Sequence, residues 1–136
     1  MNQHQLKQQE ITVSAVVIRN AAGAILTCRK RGTTLFQFPG GKWEPGENAA
    51  DAAERETAEE VGIVLHHQDL EFLGQFTAPA ANEEGFTVNA HLFVAALADA
   101  APVPAAEIAE LAWFPADSCD PALAPLLRDV VFPVLG

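Results

Sequence analysis

Three glutamates, Glu56, Glu59 and Glu60, have the spacing of a site for a divalent cation. Residues three and four apart lie on one face of an α-helix, so these carboxylates project together. Like charges at this spacing destabilise a helix by about 0.2–0.5 kcal/mol per pair, and the negative end of the helix dipole near Gly62 adds to the penalty. A positive partner is therefore expected, and an all-oxygen ligand set favours a hard cation such as Mg²⁺.

The alternative is a solvated acidic helix face, which is the usual role of a run of charges. A glycine-rich turn before the helix favours the cation site. Residues 36–39 are predicted to end a strand, and Gly40 and Gly41 follow directly. Asn48 is a suitable N-cap for a helix over residues 49–61. The turn therefore delivers backbone carbonyls toward the acidic face.

The segment from Gly41 to Ile63 resembles the Nudix box, Gly-x5-Glu-x7-Arg-Glu-U-x-Glu-Glu-x-Gly-U, in which U is a bulky apolar residue. Thr57, at the first apolar position, is more polar than the usual Leu or Val. All the fixed positions and the last apolar position match. The matching residues are Gly41, Glu47, Arg55, Glu56, Glu59, Glu60, Gly62 and Ile63.

The resemblance, which is to MutT-like members of the Nudix family, implies a fold and a reaction. The fold is the α+β Nudix α/β/α sandwich with a mixed central sheet, and the reaction is hydrolysis of a diphosphate linked to another group. The metal implied is Mg²⁺, with Mn²⁺ as the alternative. Glu56 is a further ligand or the base that activates water, and Arg55 orients a glutamate at the catalytic centre. The implied metal ligands are Glu56, Glu59, Glu60 and the carbonyl oxygen of Gly40.

A further carboxylate outside the box is expected from Glu107. In MutT-type enzymes a loop glutamate stands as far before a Trp as Glu107 stands before Trp113. The resemblance implies that Glu107 is a metal ligand or a catalytic base. Glu110, or Glu83 and Glu84 in the preceding loop, are the alternatives, and a plain surface role for Glu107 also stays open.

Basic residues are predicted to contact the substrate. Arg29, Lys30 and Arg31 lie where the family often meets phosphates, although strand alternation allows only one or two of them to face a pocket. Arg29 and Arg31 are the residues expected there, together with Lys42 of the glycine-rich turn.

The favoured substrate is a nucleoside triphosphate, cleaved to a nucleoside monophosphate and pyrophosphate. Leu123 occupies the position of an Asn in MutT-type enzymes that read oxidised guanine, which weakens that assignment; Asn82 or Asn89 would have to supply an amide elsewhere. ADP-ribose or another nucleoside diphosphate derivative is the alternative, because Pro79 stands where that branch often has Pro. A non-catalytic nucleotide-sensing module is the third reading, but such modules typically lose box glutamates that are present here.

Composition agrees with one small cytoplasmic enzyme. At 136 residues the chain is predicted to form a flexible tail over residues 1–10 and a single domain over residues 11–136. A net charge of −10 argues against binding a nucleic-acid polymer, whereas small polyphosphates bridged by cations are compatible. Two cysteines indicate a reducing compartment, and no apolar run approaches the ~20 residues of a membrane span. Monomer and homodimer both stay open.

The elements that position these groups follow from hydrophobic periodicity and turn residues. Strands are predicted over residues 11–18, 24–29, 35–38, 69–76, 86–97 and 111–114. Besides the helix over residues 49–61, a C-terminal helix is predicted within residues 122–135, and loops over residues 78–85 and 98–106.

Overall fold

A mixed β-sheet forms the middle layer of the protein. The computed structural model describes residues 9–96 and 101–136, and within them the sheet has six strands in the order β4-β5-β1-β2-β6, with β3 beside β1. Strands β1 and β5 run parallel, and the other pairs are antiparallel. The strands are β1 (Glu10–Arg19), β2 (Ile25–Lys30), β3 (Gly40–Lys42), β4 (Glu71–Pro79), β5 (Thr87–Ala96) and β6 (Ile108–Phe114).

Helical segments cover the two faces of the sheet. Helix α1, Ala49–Val61, lies on one face. On the other face a π-helical segment, Leu126–Val131, continues into the short helix α2, Phe132–Leu135. The layers confirm the predicted α/β/α sandwich with a mixed sheet. Across residues 9–96 and 101–136, no helix combines the length and the apolar character needed to cross a membrane.

Strand β1 contributes to both hydrophobic cores, because successive strand residues point to opposite faces. Val16 and Ile18 pack with Val61 of α1, whereas Val17 packs with Leu127 and other C-terminal residues. All five of these side chains are buried. The sheet therefore holds α1 and the C-terminal segment at fixed positions relative to each other.

Helix α1 has the predicted bounds, and its ends explain them. The Asn48 side chain accepts a hydrogen bond from the backbone N–H of Asp51 at 2.9 Å, and the Asp51 carboxylate accepts one from the N–H of Asn48 at 3.1 Å. Gly62 ends the helix in the left-handed conformation, with φ of 71°, and its N–H bonds to the Ala58 carbonyl.

The glycine-rich turn is more regular than predicted. The strand expected over residues 35–38 consists of isolated bridges, and the strand of this region is instead β3, which pairs with β1. A Cβ atom on Gly40 would stand 2.2 Å from the Ser14 carbonyl oxygen, so only glycine allows this close pairing.

Other element boundaries moved because strand ends depend on their partners. β4 extends to Pro79, which pairs with Thr87, and β6 begins at Ile108 rather than at residue 111. Of the C-terminal helix predicted within residues 122–135, Leu126–Val131 are π-helical and Phe132–Leu135 are α-helical. Glu10, assigned to the tail, is the first residue of β1, whereas residues 1–8 and 97–100, with parts of the predicted tail, strand and loop, lie outside the described residues.

Candidate active site

In the sheet, the chain that leads into the glycine-rich turn lies between β1 and β2, although it follows both strands in the sequence. These strands pair at the hairpin through Arg19 and Ile25. Further along, the Val16 N–H donates to the Pro39 carbonyl at 3.0 Å on the β1 side. The backbone of residue 37 bonds to β2 on the other side. The chain that follows is therefore held directly against the carboxylate face of α1.

Glu60 is a buried carboxylate at this junction, with a relative exposure of 3%. Its Oε1 accepts a hydrogen bond from the Gly40 N–H at 3.0 Å and lies 4.0 Å from Cys28 Sγ. Burial raises the pKa of Glu60 to about 7; the Gly40 hydrogen bond opposes this shift, and the charge of Glu56 adds to it. A buried acid of this kind is stabilised as the anion only when a cation is near.

Glu56 packs its carboxylate directly on Gly41. A Cβ atom on Gly41 would stand 2.3 Å from Glu56 Oε2, so any other residue at position 41 would displace the acid. Burial raises the pKa of Glu56, and the charge of Arg55 opposes that shift. Two partly or fully buried carboxylates thus share one face beside a turn without side chains.

Arg55 connects the turn to the helix. Its Nε and Nη2 donate to the two carboxylate oxygens of Glu47, at 2.6 and 3.0 Å, a bidentate pair. Its Nη1 lies 3.2 Å from both Glu56 Oε2 and Glu59 Oε1, and its Nη2 also donates to the Lys42 carbonyl at 3.0 Å. The hydrogen bond from Arg55 lowers the pKa of Glu47. Every nitrogen of this guanidinium is engaged with the protein, which suits a positioning role.

A cavity of about 490 Å³ opens beside these carboxylates. Its two walls differ in chemistry. We call the charged lining residues the charged wall: Lys30, Arg31, Lys42, Glu56, Glu60, Glu83 and Glu107, of which Lys42 and Glu83 pair at 3.7 Å. We call the larger aliphatic lining residues from β1, β5 and the π-helical segment the apolar wall: Ile11, Val13, Val88, Leu126 and Leu127.

The loop that carries Glu107 is bound to the end of β2. Lys30 Nζ lies 3.4 Å from Glu107 Oε1, and the Arg31 guanidinium donates to the Ala106 carbonyl at 2.7 Å. Burial lowers the pKa of Lys30, but the charges of Glu60 and Glu107 outweigh it, and the pKa is raised overall. Glu107 therefore lines the cavity beside the Lys30 ammonium group, and the charges of Glu107 and Glu60 both act on Lys30.

Not every residue expected at the site reaches it. Arg29 does not line the cavity; its Nε pairs with Glu110 at 3.0 Å, because strand alternation turns Lys30 inward instead. The expectation for Arg29 thus finds no support in the geometry, whereas Arg31 and Lys42 do line the cavity. Glu59 is half-exposed beside Arg55 and lies outside the cavity lining.

Two lining residues, Cys28 and Gln37, had no predicted role. Period-two alternation along β2 places Cys28 on the same side as Lys30, and that signal was available in the sequence. Gln37 reaches the cavity because its backbone pairs with Cys28, a non-local contact that the sequence does not display.

The donor set fits a hard cation. In the part of the chain that the structure describes, no three acidic, His or Cys side chains converge on a single point. Glu56 and Glu59 are directed toward Arg55, and Glu60 toward the Gly40 N–H. The available ligands are nevertheless all oxygens, and because burial raises the pKa values of Glu56 and Glu60, a bound cation would stabilise their ionised forms.

Comparisons with known proteins agree with this geometry. The NUDIX domain pattern matches residues 9–133. An 8-oxo-dGTP diphosphatase of Haemophilus influenzae is 44% identical over 73 residues, covering 51% of this chain and 54% of that protein. An RNA pyrophosphohydrolase of Psychrobacter cryohalolentis is 38% identical over 55 residues, covering 40% of this chain and 32% of that protein. The matches thus span about half, or a third, of these relatives.

A solved structure shows the same fold over nearly the whole chain. The MutT protein of Methanosarcina mazei Go1 superimposes with a TM-score of 0.77 at 24% sequence identity, covering 93% of this chain and 92% of that one. At this identity the likeness shows the fold alone, so the chemistry must be argued from the residues of the cavity.

Proposed function

This chain belongs to the Nudix family, and from that premise we propose that it is a metal-dependent pyrophosphohydrolase of nucleoside triphosphates, which releases a nucleoside monophosphate and pyrophosphate. The observation that carries the proposal is the buried Glu60 beside Glu56, at a turn of two glycines and facing a cavity. A binding cavity of roughly 300–1,000 Å³ is typical for small molecules, and this cavity lies within that range.

The charged wall supports the choice of a polyphosphate as substrate. Lys30, Arg31 and Lys42 place three cationic side chains on the cavity that also holds Glu60. Cationic side chains bind phosphate oxygens. A carboxylate cluster repels phosphate unless a metal ion lies between the two anions. Both kinds of charge on one cavity are therefore consistent with a substrate that binds together with a cation.

The residues proposed to hold Mg²⁺ or Mn²⁺ are Glu56, Glu59, Glu60, Glu107 and the carbonyl of Gly40. When bound, such a cation neutralises phosphate charge and acidifies water. Glu56 or Glu107 would accept the proton of the attacking water. Arg55 acts through the glutamates, because Glu47 and the Lys42 carbonyl occupy its nitrogens.

A nucleoside diphosphate derivative such as ADP-ribose is the second candidate. Pro79, which suggested this branch, lines the cavity. The two relatives described above are named for 8-oxo-dGTP and for RNA, which favours a nucleoside triphosphate over a nucleotide sugar. The net charge of −10 remains an argument against a polymer.

A product-resolved hydrolysis panel tests the proposal. The purified protein with Mg²⁺ or Mn²⁺ is given nucleoside triphosphates, including 8-oxo-dGTP, then ADP-ribose, nucleotide sugars and dinucleoside polyphosphates. The expected products are pyrophosphate and a monophosphate from triphosphates. Release of AMP and ribose phosphate from ADP-ribose would favour the second candidate.

Two variants make the panel specific for the proposed site. Glu60→Gln is expected to lower kcat at least ~100-fold, the scale on which removing one preorganised charge at a reaction centre acts. Glu71→Gln, an exposed acid of β4 outside the cavity, is the matched control and should keep full activity. Metal-dependent binding without turnover across the whole panel would identify a sensing module and refute the hydrolase.

A further inference from the structure

Ala106, the residue directly before Glu107, has a strained backbone. Glycines aside, it is the one residue within 9–96 and 101–136 that has a positive φ, 53°. For a residue with a Cβ atom, this left-handed conformation is disfavoured roughly tenfold relative to ordinary conformations. A strained residue keeps such a conformation only where the surrounding contacts hold it. Because the angles at Ala106 set the direction of the chain that follows, those contacts also decide where Glu107 lies.

Arg31 supplies two of the contacts that hold this loop. Its guanidinium Nη2 donates to the Ala106 carbonyl at 2.7 Å, and its backbone N–H donates to the Glu107 carbonyl at 2.8 Å. On the other side of Ala106, the Ala105 N–H donates to the Glu60 carbonyl at 3.0 Å, near the end of helix α1. The left-handed residue therefore lies between Arg31 and the helix that carries the acids, and both contact its neighbours.

An irregularity in the sheet brings Arg31 to the loop. The pairing of β2 with β6 shifts between Arg29 and Lys30, which is opposite Ile108, so that β6 has one extra residue at this point. Bulges of this kind bend a strand and redirect its side chains. Past the bulge, the Arg31 N–H contacts the Glu107 carbonyl, and the Lys30 ammonium group lies 3.4 Å from the Glu107 carboxylate. The strand register therefore places Lys30 and Arg31 against the segment that carries Glu107.

The partner of the Arg31 guanidinium distinguishes it from the other cations of the charged wall. Lys30 and Lys42 each pair with a carboxylate, that of Glu107 or of Glu83. The Arg31 side chain instead donates to a neutral backbone carbonyl. Such a hydrogen bond is directional, and it fixes a peptide group rather than neutralising a charge. The contact is therefore suited to holding the shape of a loop.

We propose that Arg31 is a positioning residue, which holds Ala106 in the left-handed conformation and so directs the Glu107 carboxylate to the cavity. This rests on the proposed pyrophosphohydrolase function, in which Glu107 is a metal ligand or the base. Lys30 and Lys42 remain the cations that contact the phosphates, whereas Arg31 acts on the reaction through Glu107. Loss of Arg31 should therefore lower turnover and leave substrate binding unchanged.

The first test compares Arg31→Met with Arg19→Met in steady-state kinetics. Methionine keeps an aliphatic side chain without the donors and the charge. Arg19 is the matched control, because it also donates to a backbone carbonyl, that of Leu135 at 3.3 Å, outside the cavity. With Mg²⁺ and the deoxynucleoside triphosphates, including 8-oxo-dGTP, Arg31→Met is expected to lower kcat about tenfold with KM within about twofold, as for loss of a group that orients a metal ligand. Arg19→Met should change neither value.

The second test repeats Arg31→Met in the Glu107→Gln protein. If Arg31 acts through Glu107, its loss should lower kcat by less than about twofold once the carboxylate is gone. Two effects that multiply as independent factors would overturn the proposal. A rise in KM of equal size in both backgrounds would also overturn it, because that pattern indicates direct contact between Arg31 and phosphate. Full activity of Glu107→Gln would overturn it as well, with the hydrolase proposal intact.

Glycine at residue 106 tests the left-handed backbone itself. Glycine adopts a positive φ without steric cost, so it depends on the Arg31 contact less than alanine does. In the Arg31→Met protein, Ala106→Gly is expected to restore kcat by about threefold or more, whereas in the wild type it should change kcat by less than about twofold. Lack of any recovery would contradict the role of Arg31 in holding Ala106.

NMR separates this inference from the hydrolase proposal, because it needs no turnover. The Cα and Cβ chemical shifts of Ala106 report its backbone conformation, and they are compared between the wild type and Arg31→Met. Changed shifts in the variant, with no turnover by the wild type, would keep the positioning of the loop by Arg31 and refute hydrolysis. Unchanged shifts with normal wild-type turnover would refute only the role of Arg31, and unchanged shifts without turnover would refute both.

The thermal midpoint shows whether Arg31→Met is folded. If it is not, Arg31→Gln replaces it, because the glutamine amide does not reach as far as the guanidinium. The same fall in kcat and the same dependence on Glu107 are expected. Normal kcat in a folded Arg31→Gln would count against the proposal.

Discussion

The two walls of the cavity are built in different ways. On the charged wall, one guanidinium and one backbone N–H hold the glutamates in place: Arg55 contacts Glu56, and Gly40 contacts Glu60. The apolar wall is assembled from strands β1 and β5 and the C-terminal segment, with aliphatic side chains only. The glutamates of the charged wall are thus held by specific hydrogen bonds, whereas the apolar wall depends on packing between segments distant in sequence.

Replacing Arg55 should weaken the charged wall through the glutamates that it orients. Arg55→Lys keeps the positive charge but cannot donate both hydrogen bonds to Glu47 while reaching Glu56 and Glu59. We expect kcat/KM to fall roughly 10- to 100-fold and the Mg²⁺ concentration for half-maximal rate to rise, as for loss of a group that orients metal ligands. Arg128→Lys is the matched control, because Arg128 pairs with Asp129 outside the cavity, and it should change neither value. A lysine variant with normal metal dependence would show that the hydrogen-bond pattern is unimportant.

The pH dependence of stability should reveal the cost of the buried acid on the same wall. The pKa of Glu60 is raised to about 7, so the folded state binds this proton more tightly than the unfolded chain does. The stabilisation by protonated Glu60 is present below its ordinary pKa and is lost as pH rises through about 7. Without metal, the free energy of unfolding should fall by roughly 2 kcal/mol between about pH 5 and pH 8.

Urea unfolding in EDTA measures this slope. Glu60→Gln should remove the contribution of Glu60 to the pH dependence of the free energy of unfolding, because glutamine does not titrate. Added Mg²⁺ should raise the stability at the higher pH. An identical slope in the wild type and in Glu60→Gln would mean that burial of Glu60 does not disfavour its ionised form.

Two glutamates near β6 differ in whether they belong to the charged wall. Glu107 lines the cavity beside Lys30, whereas Glu110 pairs with Arg29 outside it. Glu107→Gln is expected to lower kcat about tenfold or more, as for loss of a general base or a metal ligand. Glu110→Gln should leave kcat unchanged. Equal effects of the two substitutions, measured with the same substrate, would remove Glu107 from the mechanism.

The smallest expected effect concerns Thr57, which lies on the packing side of helix α1. It is fully buried, and in the described structure its hydroxyl has no hydrogen-bond partner. Thr57→Val should therefore raise the free energy of unfolding by about 1 kcal/mol, because it removes an unpaired buried hydroxyl without changing shape. Thr27→Val is the matched control, since the equally buried Thr27 hydroxyl donates to the Ala112 carbonyl at 2.8 Å.

Thermal or urea unfolding of the two valine variants gives opposite signs if this account is right. Thr27→Val should lose stability because the Ala112 carbonyl is left without its side-chain partner. A destabilised Thr57→Val would mean that the Thr57 hydroxyl has a partner, for example a water molecule.

The amino-acid sequence by itself determined the helix of the site and the face that carries its acids. Asn48 and Gly62 set the bounds of α1, and the spacing of Glu56, Glu59 and Glu60 placed them together, because capping and the i, i+3 and i+4 relations are local. The sandwich fold followed from the resemblance that the box carries. These features need few contacts with remote parts of the chain.

Tertiary structure alone decided the rest of the cavity. Pairing of β3 with β1 brought Gly40 and Gly41 against the acids, the register of β2 selected Lys30 over Arg29, and the bridge to Cys28 placed Gln37 on the wall. Which residues become opposite one another depends on strand register and on segments far apart in sequence, and a slip of one residue reverses every side chain. Local sequence patterns therefore specified the acidic face of α1, whereas long-range packing specified which side chains line the cavity beside it.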